Sequence, residues 1–245
     1  MPFDPDAAAA PGSGIFGLPF TRDQARVVIV PVPFDATTSY RPGTADGPRA
    51  VREASMQVDL FDKRFGRVYE QGIFIEDEDP RVRQWSEAAH ADARPLIAKG
   101  GVLEDSGDAA ALARVNRASE RVNEFVAAKV DAILREGKVP ALLGGEHSVP
   151  FGAIDACARA HGKIGVLQID AHMDLRDAFE GFAWSHASIM HNVVSRIPGV
   201  TRLVQVGIRD FGEQEMAMSR DSGGRIVTHY DDDWQERVLE GTKFS

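Results

Sequence analysis

Two short segments of this 245-residue chain carry the residue types that bind metal ions, and each directly follows an apolar run. The first is Gly-Gly-Glu-His-Ser at 144–148, after VPALL, and the second is Asp-Ala-His-Met-Asp at 170–174, after IGVLQI. In an extended backbone alternate side chains point to the same side, so Asp170, His172 and Asp174 are predicted to project together. Two carboxylates and an imidazole would then meet where this strand ends.

A second imidazole, that of His147, lies at the end of the preceding predicted strand and reaches the same crevice if the two strands are close. Taken singly, such residues have structural explanations, because an aspartate at a strand end commonly caps a helix. Carboxylates packed this closely repel each other unless a cation or a proton neutralises them, so the combined pattern favours metal ligation. Nitrogen and oxygen donors without cysteine favour Mn²⁺, and Ni²⁺, Co²⁺, Fe²⁺ and Zn²⁺ are also compatible. The predicted ligands are His147, Asp170, His172 and Asp174.

Two further residues are candidates for supporting roles. Glu146 either orients a ligand from the outer shell of the metal site or is a solvated loop carboxylate. His186 follows the second segment and opens a helical pattern, which suits a proton shuttle facing the site as well as a polar residue near a helix start.

Apolar runs without alternation, which are typical of parallel strands covered on both faces, alternate with helical patterns along the chain. Such an order predicts an α/β fold with a mostly parallel sheet, in which ligands bind at the carboxyl ends of the strands. Residues 1–25, rich in Pro, Ala and Gly, are predicted to form an N-terminal arm, and residues 26–245 a single domain. The predicted strands are 27–33, 72–77, 139–145, 164–172, 202–208 and 225–230, and the predicted helices lie within 47–61, 85–136, 149–162, 186–197 and 231–241.

The composition argues against some classes of function. Acidic residues outnumber basic ones by 37 to 28, giving a formal charge of −9, which argues against a nucleic-acid partner and allows a cationic substrate or a metal. No run approaches the roughly 18 apolar residues of a membrane span, so no membrane partner is expected. Cys157 is the only cysteine, which excludes an intrachain disulfide and favours a cytoplasmic location.

At these motifs the sequence resembles the ureohydrolase family, the arginase and agmatinase group. Residues 144–148 resemble the first metal motif, with Glu146 at a position usually occupied by Asp, and residues 170–174 resemble the second. The segments Tyr40–Thr44 and Gly47–Ser55 are similar to the agmatinase N-terminal signature. The resemblance implies a three-layer α/β/α fold, a binuclear Mn²⁺ site with Asp170 bridging, and a homo-oligomer, a trimer or hexamer. It also implies that His186 is the proton-relay residue, although Ala187 stands where the family usually has Gly.

The activity implied by the resemblance is hydrolysis of a guanidino or amidino C–N bond, agmatinase-like and releasing urea, on a small cationic guanidino substrate. The family's third motif, S-x-D-x-D-x-x-D-P, has no counterpart in the 245 residues. The sequence therefore predicts a truncated form with the final strands missing and an incomplete second metal position. It leaves open a catalytically incompetent homologue that acts as a binding or oligomerisation partner, and less favourably a deacetylase-type hydrolase. Agmatine, arginine, formiminoglutamate and guanidino acids all remain open as substrates.

Overall fold

The structure is a computed structural model that describes residues 3–10 and 12–243. Six strands alternate with seven helices across these residues. The strands are β1 (Val27–Val32), β2 (Ile73–Ile75), β3 (Val139–Gly144), β4 (Ile164–Ile169), β5 (Val200–Ile208) and β6 (Ile226–Tyr230). The helices are α1 (Gly47–Ala54), α2 (Pro80–Ala98), α3 (Ser106–Arg135), α4 (Phe151–His161), α5 (Ile189–Arg196), α6 (Glu213–Arg220) and α7 (Asp231–Leu239).

Every strand pair is parallel, and helices and sheets form the three-layer α/β/α arrangement that the sequence predicted. The strands form two three-stranded sheets, in the orders β2-β1-β3 and β4-β5-β6, where the sequence pattern suggested one sheet. In the described residues β3 and β4 are both edge strands and do not pair with each other. The carboxyl ends of β3 and β4 nevertheless lead into the two segments that carry the candidate ligands.

Helix α4 joins the two sheets because it contributes to both hydrophobic cores. Ala156 lies in the core formed by β1, α2 and α3, whereas Ala158 lies in the core formed by α5 and β5. One helix therefore fixes the position of the first sheet relative to the second. The fully buried side chains of the first core include Val28, Val30, Val126, Val130 and Ile133, and those of the second include Met173, Val193, Val200 and Leu203.

Close packing of α4 on α3 depends on Gly152. A Cβ atom at this position would lie 2.1 Å from the carbonyl oxygen of Asn123 and 2.9 Å from the amide nitrogen of Ala127. Backbone atoms cannot rotate away as a side chain can, so the two helices approach this closely only with glycine there.

Several elements differ from the sequence predictions. The long helical region predicted at 85–136 is two helices, α2 and α3, and α1 ends at Ala54, followed by a short 3₁₀ turn. Helix α6 was not predicted, because its eight residues include two glutamates and one arginine, and Met216, Ala217 and Met218 are adjacent and do not form an apolar stripe. In the predicted arm, Ile15 and Leu18 are buried. The division into arm and domain stays a prediction.

One face of β4 is uncovered. Leu167 and Ile169 are 63% and 80% exposed, although they belong to one of the most apolar strands of the chain. The opposite face carries Gln168, which is buried. Within residues 3–10 and 12–243, no helix is long and apolar enough to cross a membrane.

Candidate metal centre

Three of the predicted ligands meet at the carboxyl ends of β3 and β4. His147, Asp170 and Asp174 each offer one ligand atom, and these atoms all lie within 4.8 Å of one another. We call these three residues the ligand cluster. His147 lies in the turn between β3 and α4, Asp170 directly follows β4, and Asp174 lies in the loop beyond it.

The ligand cluster is held by hydrogen bonds in which the imidazole of His147 bridges two carboxylates. Its Nδ1 lies 2.6 Å from Oδ2 of Asp174 and 3.1 Å from Oδ2 of Asp170. Burial disfavours the imidazolium, but the two carboxylates outweigh burial and raise the pKa of His147 to about 9. Burial likewise opposes ionisation of Asp170, yet hydrogen bonds from His147, from the His172 amide and from Gln168 lower the pKa of Asp170.

These residues fit a divalent cation. The imidazole of His147 lies between two carboxylates, at the point where a positive charge would offset their repulsion. An imidazole nitrogen and carboxylate oxygens, without thiolate, form a donor set that suits Mn²⁺ and other borderline divalent ions. Asp174 is almost fully buried, so its carboxylate is directed into the protein and not to solvent.

The backbone of Asp174 explains why the three side chains converge. Asp174 has φ +54°, an uncommon left-handed conformation that aspartate tolerates better than most residues. Its carbonyl oxygen accepts hydrogen bonds from the amides of Met190 and His191 at the start of α5, at 3.0 and 3.2 Å. Met173 and Leu175 on either side are buried in the second core. The loop is therefore held in place on both sides of Asp174.

His172 lies outside the ligand cluster. The extended conformation ends at Ile169, so the alternation that would align Asp170, His172 and Asp174 does not continue. The imidazole of His172 is 58% exposed, and its Nε2 lies 3.5 Å from Oδ2 of Asp210. Its assignment as a ligand stays a prediction.

Glu146 is buried beside the ligand cluster and accepts four hydrogen bonds. The donors are the Thr37 amide at 2.9 Å and the hydroxyls of Thr37, Thr38 and Ser148 at 2.7, 3.2 and 2.7 Å. Burial raises the pKa of Glu146 to about 7, although the hydrogen bonds favour its ionised form. The side chain therefore fastens the loop after β1 to the turn that carries His147, and it is not a solvated loop carboxylate.

His186 lies on the same side of this network. Its backbone amide donates to Oγ1 of Thr37 at 3.2 Å, and its Nδ1 lies 3.4 Å from the same oxygen. Burial lowers the pKa of His186, although the charges of Asp174 and Glu180 act in the opposite direction. The lowered pKa favours the neutral form of the imidazole, and the role of His186 as a proton relay stays a prediction.

Sequence reasoning missed a row of polar side chains that supports Asp170 from the second sheet. Gln168 on β4 donates to Oδ2 of Asp170 at 3.2 Å, and Gln205 on β5 donates to Oε1 of Gln168 at 2.7 Å. Gln205 also donates to the carbonyl of Met173 and accepts from Thr228 on β6. The sequence contains a signal for this row, because Gln168, Gln205 and Thr228 interrupt three apolar strands. The structure places these three residues at the same register of the sheet.

We expect Gln205→Leu to lower the free energy of unfolding by about 2–4 kcal/mol. The side chain is fully buried, and its loss leaves the Met173 carbonyl and the Gln168 amide oxygen without their donor. Urea denaturation followed by circular dichroism measures the change. The control is Gln235→Leu, which removes an exposed hydrogen bond to Asp231 and should change stability by less than about 0.5 kcal/mol. Equal stability of both variants would contradict a structural role for the row.

Fold and site together define a three-layer parallel α/β protein with a candidate divalent-metal centre at the carboxyl ends of its strands. Comparison with known proteins gives the family. The sequence model of the Arginase family matches residues 25–241, and the chain belongs to that family.

Individual relatives agree with this assignment. The chain is 34% identical over 173 residues to the N(1)-aminopropylagmatine ureohydrolase of Synechocystis sp., which covers 69% of this chain and 47% of the relative. It is 30% identical over 202 residues to the agmatinase of Bacillus anthracis, covering 82% and 58% of the two chains. The agmatine ureohydrolase structure from Thermoplasma volcanium superimposes with a TM-score of 0.64 over 89% of this chain and 61% of that one, at 23% identity. The chain thus spans about half the length of the curated relatives it matches.

Proposed function

We propose that this chain is part of an agmatinase-like ureohydrolase that hydrolyses the C–N bond of a guanidino group and releases urea. The observation that carries the proposal is the ligand cluster, formed at the carboxyl ends of β3 and β4 in a member of the Arginase family. Relatives named agmatinase and N(1)-aminopropylagmatine ureohydrolase at 30–34% identity support the choice of a guanidino substrate.

We further propose that His147, Asp170 and Asp174 hold a divalent ion, with manganese favoured, and that His172 joins them when a second ion binds. A divalent ion held by these residues would activate a water molecule at neutral pH and would polarise the group that the water attacks. Without cysteine or sulfur ligands, the site is best suited to Mn²⁺, with Ni²⁺, Co²⁺, Fe²⁺ and Zn²⁺ as alternatives. We also propose that the protein is cytoplasmic and forms a homo-oligomer.

The chain's own residues supply charge and proton transfer. Asp170 and Asp174 supply the negative charge that a bound divalent ion would offset. The Thr37 hydroxyl donates its proton to Glu146, so its oxygen is left to accept from Nδ1–H of His186. The Nε2 atom of the neutral imidazole is then free to take up a proton and to return it to the leaving amine.

Activity is tested by urea release from the purified 245-residue chain loaded with Mn²⁺, with agmatine as substrate. We expect turnover that is lost with a chelator and restored by Mn²⁺. Lack of turnover on agmatine and other guanidino compounds, with Mn²⁺ bound, would reject the proposal for this chain. Metal analysis of the same sample reports how many ions each chain retains, and a catalytically incompetent binding partner is expected to retain fewer than two.

A further inference from the structure

A cavity lies between helix α2 and the loop after β1, and no residue of the ligand cluster lines it. Its volume is about 300 Å³, and its walls include Asp35 from the loop and Ser86, Glu87, His90 and Arg94 from the helix. A wider groove of about 980 Å³ adjoins it and shares the wall formed by His90 and Arg94. Sites for small molecules typically have volumes of this order. The cavity and the groove together therefore have room for a small, elongated ligand.

The buried side of the cavity is held by a network of hydrogen bonds. Asp35 is almost fully buried, and its Oδ2 accepts from the amides of Gly43 and Ala45 at 2.8 and 3.2 Å. Its Oδ1 accepts from the Ser86 hydroxyl at 3.2 Å, and the Ser86 oxygen accepts from the Asp35 amide at 3.1 Å. The loop is thus fastened to α2, and the cavity is preformed.

Two charged side chains of α2 are left without a partner beside this cavity. The other three in the helix form ion pairs: Arg81 with Asp79, Arg83 with Asp46 and Glu78, and Asp92 with Arg114. Glu87 and Arg94, by contrast, form no hydrogen bond or ion pair with any residue that the structure describes. Both line the cavity, so a carboxylate and a guanidinium are free to bind a ligand there.

His90 adds an imidazole between these two charges. Its Nδ1 lies 3.8 Å from Oδ1 of Asp35, which is too far for a hydrogen bond. Residues 87, 90 and 94 are three and four positions apart, so they lie on one face of α2. At a rise of 1.5 Å per residue, Glu87 and Arg94 are roughly 10 Å apart along the helix axis. The wall therefore presents a negative charge, a polar ring and a positive charge in a row.

We propose that this cavity binds an elongated zwitterion, a small molecule with a cationic group at one end and a carboxylate at the other, of the ω-amino acid class. Arg94 binds the carboxylate, because a planar guanidinium donates two parallel hydrogen bonds to such a group. Glu87 accepts from the cationic end. A simple anion would use only Arg94 and a simple cation only Glu87, whereas a zwitterion uses both unpaired charges.

The remaining charges around the cavity are consistent with this orientation. Arg83 also lines the cavity, but Asp46 and Glu78 already offset its charge, each at 3.0 Å. The carboxylate of Asp35 lies on the buried side and disfavours an anion there. The carboxylate of the ligand is therefore directed to Arg94, where the cavity opens into the groove.

The test uses 6-aminohexanoate, which has no guanidino group and so is not a substrate of the proposed reaction. Its binding to the metal-free 245-residue chain is measured by isothermal titration calorimetry, beside hexanoate and hexylamine, which each lack one charged end. We expect 6-aminohexanoate to bind with a Kd on the order of 1 mM. We expect each of the two analogues to bind at least about fivefold more weakly.

Variants of the two unpaired side chains assign the ends of the ligand. Arg94→Gln and Glu87→Gln are each expected to weaken 6-aminohexanoate binding by about fivefold or more. Arg94→Gln should leave hexylamine binding unchanged, and Glu87→Gln should leave hexanoate binding unchanged. The control is Arg121→Gln, which removes an exposed arginine of α3 that lines neither the cavity nor the groove and should leave all three affinities unchanged.

The variants should fold like the wild-type chain, because Glu87 and Arg94 are exposed and glutamine is a good helix former. Thermal melts verify this. Four results would overturn the inference: no binding of 6-aminohexanoate at ten times the expected Kd, equal binding of the zwitterion and either analogue, unchanged affinity in either variant, or an equal loss in Arg121→Gln. Since the probe has no guanidino group and no metal is present, each result holds whether or not the chain releases urea.

Discussion

Asp174→Asn is expected to lower the affinity of the chain for Mn²⁺ by at least about a hundredfold. Loss of a group that only supports a metal ligand typically costs about 10–100-fold, and Asp174 contributes a charged ligand directly. Asparagine accepts φ +54° and keeps the carbonyl that receives the amides of Met190 and His191, so the loop should stay in place. The substitution therefore removes charge while conserving shape. Calorimetric titration with Mn²⁺ at one fixed pH measures the effect.

The matched control is Asp177→Asn, three residues further along the same loop. It removes the same charge from a side chain that is almost fully exposed, and we expect its Mn²⁺ affinity to equal that of the wild-type chain. A general electrostatic effect of the acidic surface would weaken both variants alike. Undiminished affinity in Asp174→Asn would show that the ligand cluster is an ordinary hydrogen-bonded group.

Gly152→Ala is expected to destabilise the protein by about 3 kcal/mol or more, despite the better helix propensity of alanine. Propensity alone favours alanine in a helix by about 1 kcal/mol. The new methyl group, however, would lie 2.1 Å from the Asn123 carbonyl oxygen, and inserting a group into a packed core typically costs about 1–3 kcal/mol, more when the backbone must move. Because α4 belongs to both cores, separation of α4 from α3 loosens them together.

The free energies of unfolding of Gly152→Ala and Ala160→Gly are measured by chemical denaturation. Their comparison separates the cost of helix packing from the difference in helix propensity. Ala160 is exposed on the same helix, so its replacement by glycine should cost only the propensity difference of about 1 kcal/mol. A Gly152→Ala protein as stable as the wild type would mean that α3 and α4 separate without cost. Mn²⁺ affinity of the same variant reports whether the turn that carries His147, just before α4, moves with the helix.

The strands were predictable because burial on both faces leaves a direct mark in the sequence. Five of the six predicted runs contain the observed strand completely, whereas β5 begins two residues earlier, at Val200. The pairing was less predictable, since periodicity does not show which strands are neighbours. A single sheet was the simplest interpretation, and the structure has two that share α4.

The candidate site was predictable only in part. The pattern identified residues at two strand ends, and the structure brings His147, Asp170 and Asp174 together. It did not predict the position of His172, because the strand ends at Ile169 and the alternation on which the prediction depended ends with it. Thr37 was missed because its contacts with Glu146 and His186 join residues distant in sequence. Periodicity carries no information on such contacts.

The bare face and free edge of β4 have a practical consequence for anyone who handles this chain. Apolar side chains beside unsatisfied main-chain amides make a template on which a strand of another molecule can add, and successive additions lead to insoluble material. We therefore expect the fraction of aggregated protein to rise steeply with protein concentration. Light scattering measures this fraction. Ile169 is exposed, and its replacement by lysine should suppress this aggregation, because stacking of a second chain on β4 would then bury a positive charge.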